Sequence, residues 1–221
     1  MVKTLLIFLI LIIITAGCRN RQEAVKEKVP VAAETVKLDS TYIFNGVDLD
    51  GWEITNFGPQ GPVYTSGGSI VLGMGDGATG ITYKNEFPEI NYEVTLEARR
   101  VQGTDFFCGM TFPVGKDPCT LIVGGWGGAL VGLSSINGRD ASENETKTIQ
   151  KFENGRWYKI KLTVTADKIS AWIDDTNVVD INISGKKLSI RPEVTRSRPF
   201  GIASWFTTAE LRNIRVLRIN E

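Results

Sequence analysis

The sequence Tyr42-Ile-Phe-Asn-Gly-Val-Asp-Leu-Asp-Gly-Trp52 opens the part of the chain that carries a fold. An Asn-Gly pair and an Asp-x-x-Gly segment follow one another in it. Both are turn signals, because Asn and Gly accept the positive backbone angle φ at which a chain reverses. The apolar residues before the first turn predict a short strand, and we expect the tryptophan to return to the interior.

Apolar and polar residues alternate in Tyr92–Arg99 and Tyr158–Thr165, and the pattern resumes in Ile169–Ile173. A period of two residues is typical of a strand with one buried face. Turn residues separate such segments, 23 of the 221 residues are glycine, and no window keeps a helical period. The sequence therefore predicts an all-β fold, an antiparallel sandwich of two sheets.

Four segments, in this order, resemble the motifs of the 3-keto-disaccharide hydrolase domain family, formerly a domain of unknown function. They are the opening stretch, Asn154–Leu162, Trp172–Asp180, and the pair Pro199–Ala203 with Ala209–Val216. The resemblance covers residues 42–219. It implies a jelly roll of the concanavalin A-like lectin/glucanase type, which we expect in residues 38–221.

Residues 1–17 are predicted to be a bacterial lipoprotein signal peptide. Lys3 precedes the apolar run Leu5–Ile14, which is too short for a permanent membrane span, and Thr15-Ala-Gly-Cys18 follows. Cys18 is then the site of lipidation; the alternative is an ordinary secretory signal with an incidental cysteine. Residues 18–37 are charged and lack aromatic residues, which predicts a flexible tether. We expect a lipid anchor in the membrane of the cell envelope and an extracytoplasmic domain.

Composition excludes several functions. The 25 basic and 25 acidic residues balance, so no overall field favours nucleic acid as a partner. The chain contains no histidine, which excludes Ser-His-Asp and Cys-His catalysis and imidazole-based zinc sites. It also lacks the Glu-x-Asp-x-x-Glu strand motif of laminarinase-like glycosidases, which argues against a standard retaining mechanism.

Cys108 and Cys119 invite a disulfide in an oxidising compartment. A hairpin centred near Gly115 would place Cys108 opposite Val123 and Cys119 opposite Phe112. The sulfur atoms would then lie roughly 13 Å apart at the rise of a strand, which is too far for a disulfide. We therefore expect two buried, reduced thiols, unless the loop is wide or bulged.

Polar residues of the alternating strands are the first candidates for a catalytic site. Glu93, Glu97 and Arg99 project from one sheet face, and Glu97-Ala-Arg99 matches a Glu-x-Arg triplet of the family. By resemblance Glu97 acts as base or acid, and Arg99 or Arg212 stabilises an enolate, while Glu93 contacts the sugar. The alternative is a hydrated sheet surface with cross-strand ion pairs.

Two tryptophans are candidate platforms for a sugar ring. Trp126 lies within Gly124-Gly-Trp-Gly-Gly128, where little local packing can hide its indole. Glycine-rich segments also occur at bulges, where a tryptophan simply packs. Trp205 and Asp105 are further candidate carbohydrate-binding residues.

The polar loop 137–146 contains Asp140, Glu143 and Glu145. Clustered carboxylates could bind a hard cation such as Ca²⁺, but the spacing matches no EF-hand. A solvated loop without a metal is the alternative.

The family resemblance implies a hydrolase acting on 3-keto sugars. A ketone at C3 acidifies the C2 hydrogen, so a base can start elimination of the glycosidic group, after which water adds. This chain has Ser204-Trp-Phe-Thr where relatives often have a His-Gly pair. A carbohydrate-binding lipoprotein without turnover, and an envelope scaffold that binds a protein, are the alternatives.

We expect Cys18→Ala to abolish labelling by radioactive fatty acid and to release the protein from the detergent phase, because the thioether to lipid cannot form. Membrane association that is unchanged in this variant would contradict the predicted lipid anchor.

Overall fold

The computed structural model describes residues 40–219. The predicted signal peptide (1–17), the lipidation site Cys18 and the tether (18–37) lie outside the described residues, as do both ends of the predicted domain. Within residues 40–219 no helix has the length and apolar character needed to cross a membrane.

Residues 40–219 form two antiparallel sheets and one short 3₁₀ helix, Pro192–Ser197. The strands are β1 Ser40–Tyr42, β2 Trp52–Ile54, β3 Val63–Ser66, β4 Ser69–Leu72, β5 Ala78–Tyr83, β6 Tyr92–Gly103, β7 Cys108–Val114, β8 Asp117–Gly125, β9 Leu130–Ser134, β10 Thr148–Ile149, β11 Tyr158–Val164, β12 Lys168–Ile173, β13 Thr176–Asn182, β14 Gly201–Trp205 and β15 Thr207–Arg218. The first sheet has the order β13-β12-β11-β6-β15-β4-β3, with β1 also paired to β15. The second sheet has the order β10-β9-β8-β7-β14-β5-β2. The predicted two-sheet antiparallel jelly roll is confirmed.

The alternating segments become the central strands of the first sheet. In β6, Tyr92, Val94, Leu96 and Ala98 are buried, and the residues between them lie on the outer face. Strand β11 pairs with β6 in a register that sets Ile160 opposite Leu96, so the apolar residues of both strands enter one core. The predicted period of two residues is therefore what builds the interior between the sheets.

The opening stretch forms the predicted turns. Asn45 Oδ1 accepts a hydrogen bond of 2.8 Å from the backbone N–H of Val47, and Gly46 has a φ of +78°. Trp52 is buried, and its Nε1 donates a hydrogen bond of 2.7 Å to the carbonyl oxygen of Ile43. The strand before the turns, β1, ends at Tyr42, so Ile43 and Phe44 lie outside it.

The second sheet differs from the first, because much of its outer face is also buried. Thr111 and Thr120 project outward, and their hydroxyl groups form a hydrogen bond of 3.0 Å beneath a covering segment. The 3₁₀ helix is part of this cover, since the backbone carbonyl of Arg196 accepts a hydrogen bond from Thr82. At Gly201 a side chain would lie 2.6 Å from the carbonyl oxygen of Ser197, so only glycine permits this approach. The cover leaves part of the outer face open as a recess.

The cysteines follow the predicted hairpin register. Strands β7 and β8 pair Cys108 with Val123 and Cys119 with Phe112. Both thiols are free and fully buried, and burial raises the pKa of each to about 12.

We expect iodoacetamide at pH 8 to leave Cys108 and Cys119 unmodified in the folded protein and to alkylate both after denaturation, as read by peptide mass spectrometry. The physical reason is that both thiols are enclosed and remain protonated at this pH. A peptide linked by a disulfide between them, or labelling of the folded protein, would contradict this account.

Candidate functional site

A pocket lies on the outer face of the second sheet, which we call the sheet-face pocket. Its lining residues are Asp105, Phe106, Thr120, Ile122, Trp126, Ser134, Arg191, Glu193, Val194 and Trp205. Its volume is about 220 Å³, below the roughly 300–1,000 Å³ typical of sites for drug-sized ligands. The pocket has room for a small ring, and it combines apolar walls with an arginine and two carboxylates.

Trp126 lies at the tip of the β8–β9 hairpin. The backbone N–H of Gly128 donates to the carbonyl of Gly125, and Trp126 and Gly127 between them have φ angles of +48° and +85°. This is the left-handed tight turn that favours glycine, and a bulky residue there is strained. The strand register also shifts between Val123 and Gly125, so the predicted alternative of a bulge is present as well. The indole nevertheless stays 45% exposed rather than packing.

Asp105 and Arg100 hold this hairpin in place. Asp105 Oδ2 accepts a hydrogen bond of 3.3 Å from the N–H of Gly127, and its Oδ1 accepts one of 2.7 Å from the N–H of Phe106. Arg100 is buried, and its Nη2 donates to the carbonyl of Gly128 at 2.9 Å. Burial lowers the pKa of Arg100 from its ordinary value. Asp105 thus contributes mainly by fixing the position of Trp126.

Trp205 forms another wall of the pocket at the end of β14. Its ring stacks on that of Phe106, with centroids 6.3 Å apart and planes at 25°. A side chain at Gly109 would lie 2.8 Å from the Phe106 ring, so the glycine in β7 lets that ring lie against the sheet. The structure therefore brings Trp126, Trp205 and Asp105, three of the residues predicted to bind carbohydrate, to one pocket.

Arg191 binds two carboxylates, of which Glu193 also lines the pocket. Its Nη1 donates to Asp140 Oδ2 at 2.5 Å, and its Nη2 donates to Glu193 Oε1 at 2.9 Å. The hydrogen bond to Glu193 raises the pKa of Arg191, and the same bond lowers the pKa of the Glu193 carboxyl. Both groups are therefore charged at neutral pH, with the guanidinium next to the carboxylate.

The structure does not bring Asp140, Glu143 and Glu145, the residues of the predicted cation site, together. In residues 40–219 no group of three or more His, Cys, Asp or Glu side chains is arranged to hold a metal ion. Asp140 binds Arg191 and accepts hydrogen bonds from two serine hydroxyl groups, while Glu145 pairs with Lys186 at 2.7 Å. Cationic side chains therefore neutralise Asp140 and Glu145. Glu143 is exposed.

The predicted catalytic residues lie on the outer face of the first sheet. Glu97 and Arg212 are directly opposite in the register of β6 and β15, and their side chains form a bond of 2.7 Å. Arg99 and Glu210 form the next cross-strand pair, at 2.6 Å. Both guanidinium groups also lie over the ring of Trp157, at 4.6 Å for Arg99 and 4.0 Å for Arg212. Farther along this face, Glu93 lies 3.9 Å from Lys161 and accepts a hydrogen bond from Thr163.

The two sets of predicted site residues therefore lie on opposite sides of the sandwich. The core of both sheets separates Glu93, Glu97, Arg99 and Arg212 from the sheet-face pocket. One sugar cannot contact both sets. The catalytic role of Glu97 stays a prediction, and its contacts are those of a cross-strand ion-pair network.

Arg191 and Glu193 are pocket residues that sequence reasoning did not identify. They flank Pro192, the first residue of the 3₁₀ helix. This segment is far along the chain from the hairpin of Trp126. No local pattern in the sequence signals that this segment crosses the outer face of the second sheet.

The fold and the pocket define a β-sandwich of the jelly-roll type with an aromatic-lined recess on one sheet. A family model described as the 3-keto-alpha-glucoside-1,2-lyase-like domain matches residues 39–217. The chain belongs to this family, and the resemblance seen in its motifs is confirmed. No curated protein sequence gives a significant match.

Solved structures with the same fold include carbohydrate-binding modules and glycan-processing enzymes. The carbohydrate binding module CBM66 from Bacillus subtilis has a TM-score of 0.52 at 19% identity, over 75% of this chain and 94% of the module. The Crh5 transglycosylase in complex with NAG has a TM-score of 0.56 at 14% identity, over 83% of this chain and 84% of that chain. Domain 4 of AbnA, an extracellular arabinanase from Geobacillus stearothermophilus, in complex with arabinotriose, has a TM-score of 0.53 at 14% identity, over 82% and 92%. At such low sequence identity, these TM-scores show a shared fold alone.

We expect Glu97→Gln to lower the free energy of unfolding at pH 7 by about 0.5–1 kcal/mol, the usual worth of a partly exposed ion pair. Burial of Glu97 opposes its charged form, but hydrogen bonds from Arg212 and Asn213 outweigh it and lower the pKa below the ordinary 4.5. This contribution is present above pH 4.5 and is lost as the pH falls through the folded-state pKa.

Urea unfolding of wild type and Glu97→Gln at pH 7 and about pH 3 measures this difference. Glu53→Gln is the matched control, because Glu53 is exposed on β2 and has no ion pair in the described residues. A difference that is equal at both pH values would contradict the ion-pair role.

Proposed function

We propose that this domain binds a glucoside in the sheet-face pocket and cleaves 3-keto-glucosides. Membership of the 3-keto-alpha-glucoside-1,2-lyase-like family supports the reaction. The observation that carries the proposal is the meeting of Trp126, Trp205 and the Arg191–Glu193 pair in a recess with the volume of a small ring. The outer face of the first sheet has a recess as well, and no aromatic side chain lines it; its lining residues are Ser40, Glu93, Thr95, Lys159, Arg215 and Leu217.

The aromatic walls provide binding. The C–H face of a sugar ring is apolar, and its burial against indole is worth about 25 cal/mol per Å² of surface removed from water. The tight turn fixes the backbone of Trp126 beside the pocket, so little backbone entropy is lost when a sugar ring stacks on its indole. Hydroxyl groups at the ring edge can then reach the charged groups on the opposite wall.

The polar wall provides a base and a cation. Glu193 is ionised and can take the proton from C2, while Arg191 can stabilise the negative charge that develops on the C3 oxygen. The enolate then expels the oxygen at C1, which takes a proton from water, and a C1–C2 double bond forms. Addition of water across that bond restores the 3-keto sugar, so the sum is hydrolysis. Asp105 positions Trp126 in this proposal, because its carboxylate oxygens accept backbone hydrogen bonds.

A non-catalytic carbohydrate-binding domain is the second candidate. The observation in its favour is the short Arg191–Glu193 contact, which lowers the pKa of Glu193 and makes this carboxylate a weaker base. In either case we propose that the domain is held at the cell envelope through a lipid on Cys18.

Glu193→Gln and Glu97→Gln separate the two candidate catalytic carboxylates. We expect Glu193→Gln to lower the rate of 3-keto-disaccharide cleavage by about 10²–10⁴-fold, because it removes the proton acceptor. Glu97→Gln retains the wild-type rate, since its side chain is on the other sheet. Trp126→Ala weakens binding about tenfold, a loss of about 1.4 kcal/mol.

The assay uses the full-length protein in mild detergent and follows product release by chromatography, with binding measured by calorimetry. Loss of turnover in Glu97→Gln, with turnover intact in Glu193→Gln, would contradict the proposed site. Binding without cleavage of any 3-keto-glucoside by wild type would favour the second candidate.

A further inference from the structure

Phe206 lies one residue beyond the pocket wall, between β14 and β15. Its side chain is 44% exposed, and its φ angle is +43°. A bulky residue rarely adopts this left-handed conformation, and exposure of its ring to water adds a second unfavourable contribution. Neither feature benefits the folded chain by itself, and such strain concentrates where a chain binds a ligand.

Hydrogen bonds of Phe206 and of its chain neighbours fix the position of Phe206. Its N–H donates to the carbonyl of Gly77 at 3.1 Å, and the N–H of Trp205 donates to the carbonyl of Phe106 at 3.0 Å. Below it, the buried hydroxyl of Ser204 donates to the carbonyl of Thr207 at 2.8 Å. The turn is therefore a fixed support that holds the Phe206 ring toward solvent.

Trp205 connects this ring to the pocket. One side of the indole lines the pocket beside Phe106, and the Phe206 ring meets it edge-on, with centroids 5.3 Å apart and planes at 85°. A ligand that extends out of the pocket past Trp205 thus reaches Phe206. Because the pocket volume is about 220 Å³, a second ring of the ligand must lie outside it.

Asp76 adds a polar group next in the chain to the backbone contact of Phe206. It directly precedes Gly77, whose carbonyl binds the N–H of Phe206. Its side chain is exposed, and within residues 40–219 it has no hydrogen bond or ion pair. A carboxylate is acceptor-only and suits the hydroxyl groups of a sugar rather than an aromatic aglycone.

We propose that Phe206 and Asp76 form a second subsite, which binds the leaving-group sugar of a disaccharide whose first ring occupies the sheet-face pocket. This subsite rests on the proposed function of the pocket and extends it from a single ring to a disaccharide. Phe206 stacks on the second ring, and Asp76 accepts hydrogen bonds from its hydroxyl groups.

The test compares glucose disaccharides with methyl glucoside and phenyl glucoside, each in ordinary and 3-keto form, on full-length protein in detergent. Calorimetry gives the dissociation constants of the ordinary forms, and initial rates give KM for the 3-keto forms. Phe206→Asn removes the ring but tolerates a positive φ, so the turn is kept. Phe206→Tyr retains the ring, and Tyr64→Ala removes an exposed ring of the first sheet as the matched control.

We expect wild type, Phe206→Tyr and Tyr64→Ala to bind disaccharides about tenfold more tightly than methyl glucoside, and Phe206→Asn to lose this preference while binding methyl glucoside normally. Asp76→Asn weakens disaccharide binding and leaves phenyl glucoside unaffected. Equal binding of methyl glucoside and disaccharides by wild type, or a preference that survives Phe206→Asn, would overturn the second subsite and leave the pocket proposal standing. A preference for phenyl glucoside over disaccharides would show that this subsite binds an aromatic aglycone, and it would contradict the proposed sugar. Failure of wild type to bind any of these compounds would overturn both.

Discussion

The pleat of the two packed sheets is the constraint on which the rest of this structure depends. Successive side chains of a strand point to opposite faces, so each sheet buries one face in the common core and turns the other away from it. In β6 this commits Leu96 and Ala98 to the core and Glu97 to the outside. In β8 it commits Leu121 to the core and Thr120 to the sheet-face pocket. The two outer faces are therefore separated by the whole sandwich, and they carry different sets of side chains.

Charged side chains on the outer face of the first sheet are paired with one another. Its arginine and glutamate side chains pair across β6 and β15, and two guanidinium groups lie over the Trp157 ring. Charges that are already paired in this way contribute modestly to stability and have little reason to bind a substrate. The second sheet offers the opposite arrangement. Two of its exposed aromatic residues, Trp126 and Phe206, are held at positive φ at a cost of order 1–3 kcal/mol each.

The sequence predicted the fold well because the alternation of apolar and polar residues follows directly from strands with one buried face. Alternation in Tyr92–Arg99 identifies the buried face, and the hairpin at Gly115 sets the register that keeps Cys108 and Cys119 apart. Glycine spacing around Trp126 signalled a ring that local packing cannot hide. The location of the site depends on long-range contacts, and here sequence reasoning had no comparable signal.

Two features of the site were therefore out of reach of sequence reasoning. The pattern of β6 shows that Glu97 faces outward, but not that the sheet-face pocket is on the other sheet. The role of Arg191 depends on the 3₁₀ helix crossing the second sheet, which no periodicity encodes. The sequence also did not show that Asp140 and Glu145 pair with Arg191 and Lys186, because these partners are distant in sequence.

Ligand binding on the second sheet is tested most directly by the indole N–H signals of the five tryptophans in an NMR titration with a 3-keto-disaccharide. Individual Trp→Phe variants assign the signals of Trp52, Trp126, Trp157, Trp172 and Trp205. We expect the signals of Trp126 and Trp205 to shift with ligand concentration. The signals of the buried Trp52, of Trp157, whose ring lies against Arg99 and Arg212, and of Trp172 in β12 stay unchanged. Shifts at Trp157 or Trp172, with Trp126 and Trp205 unaffected, would contradict binding on the second sheet.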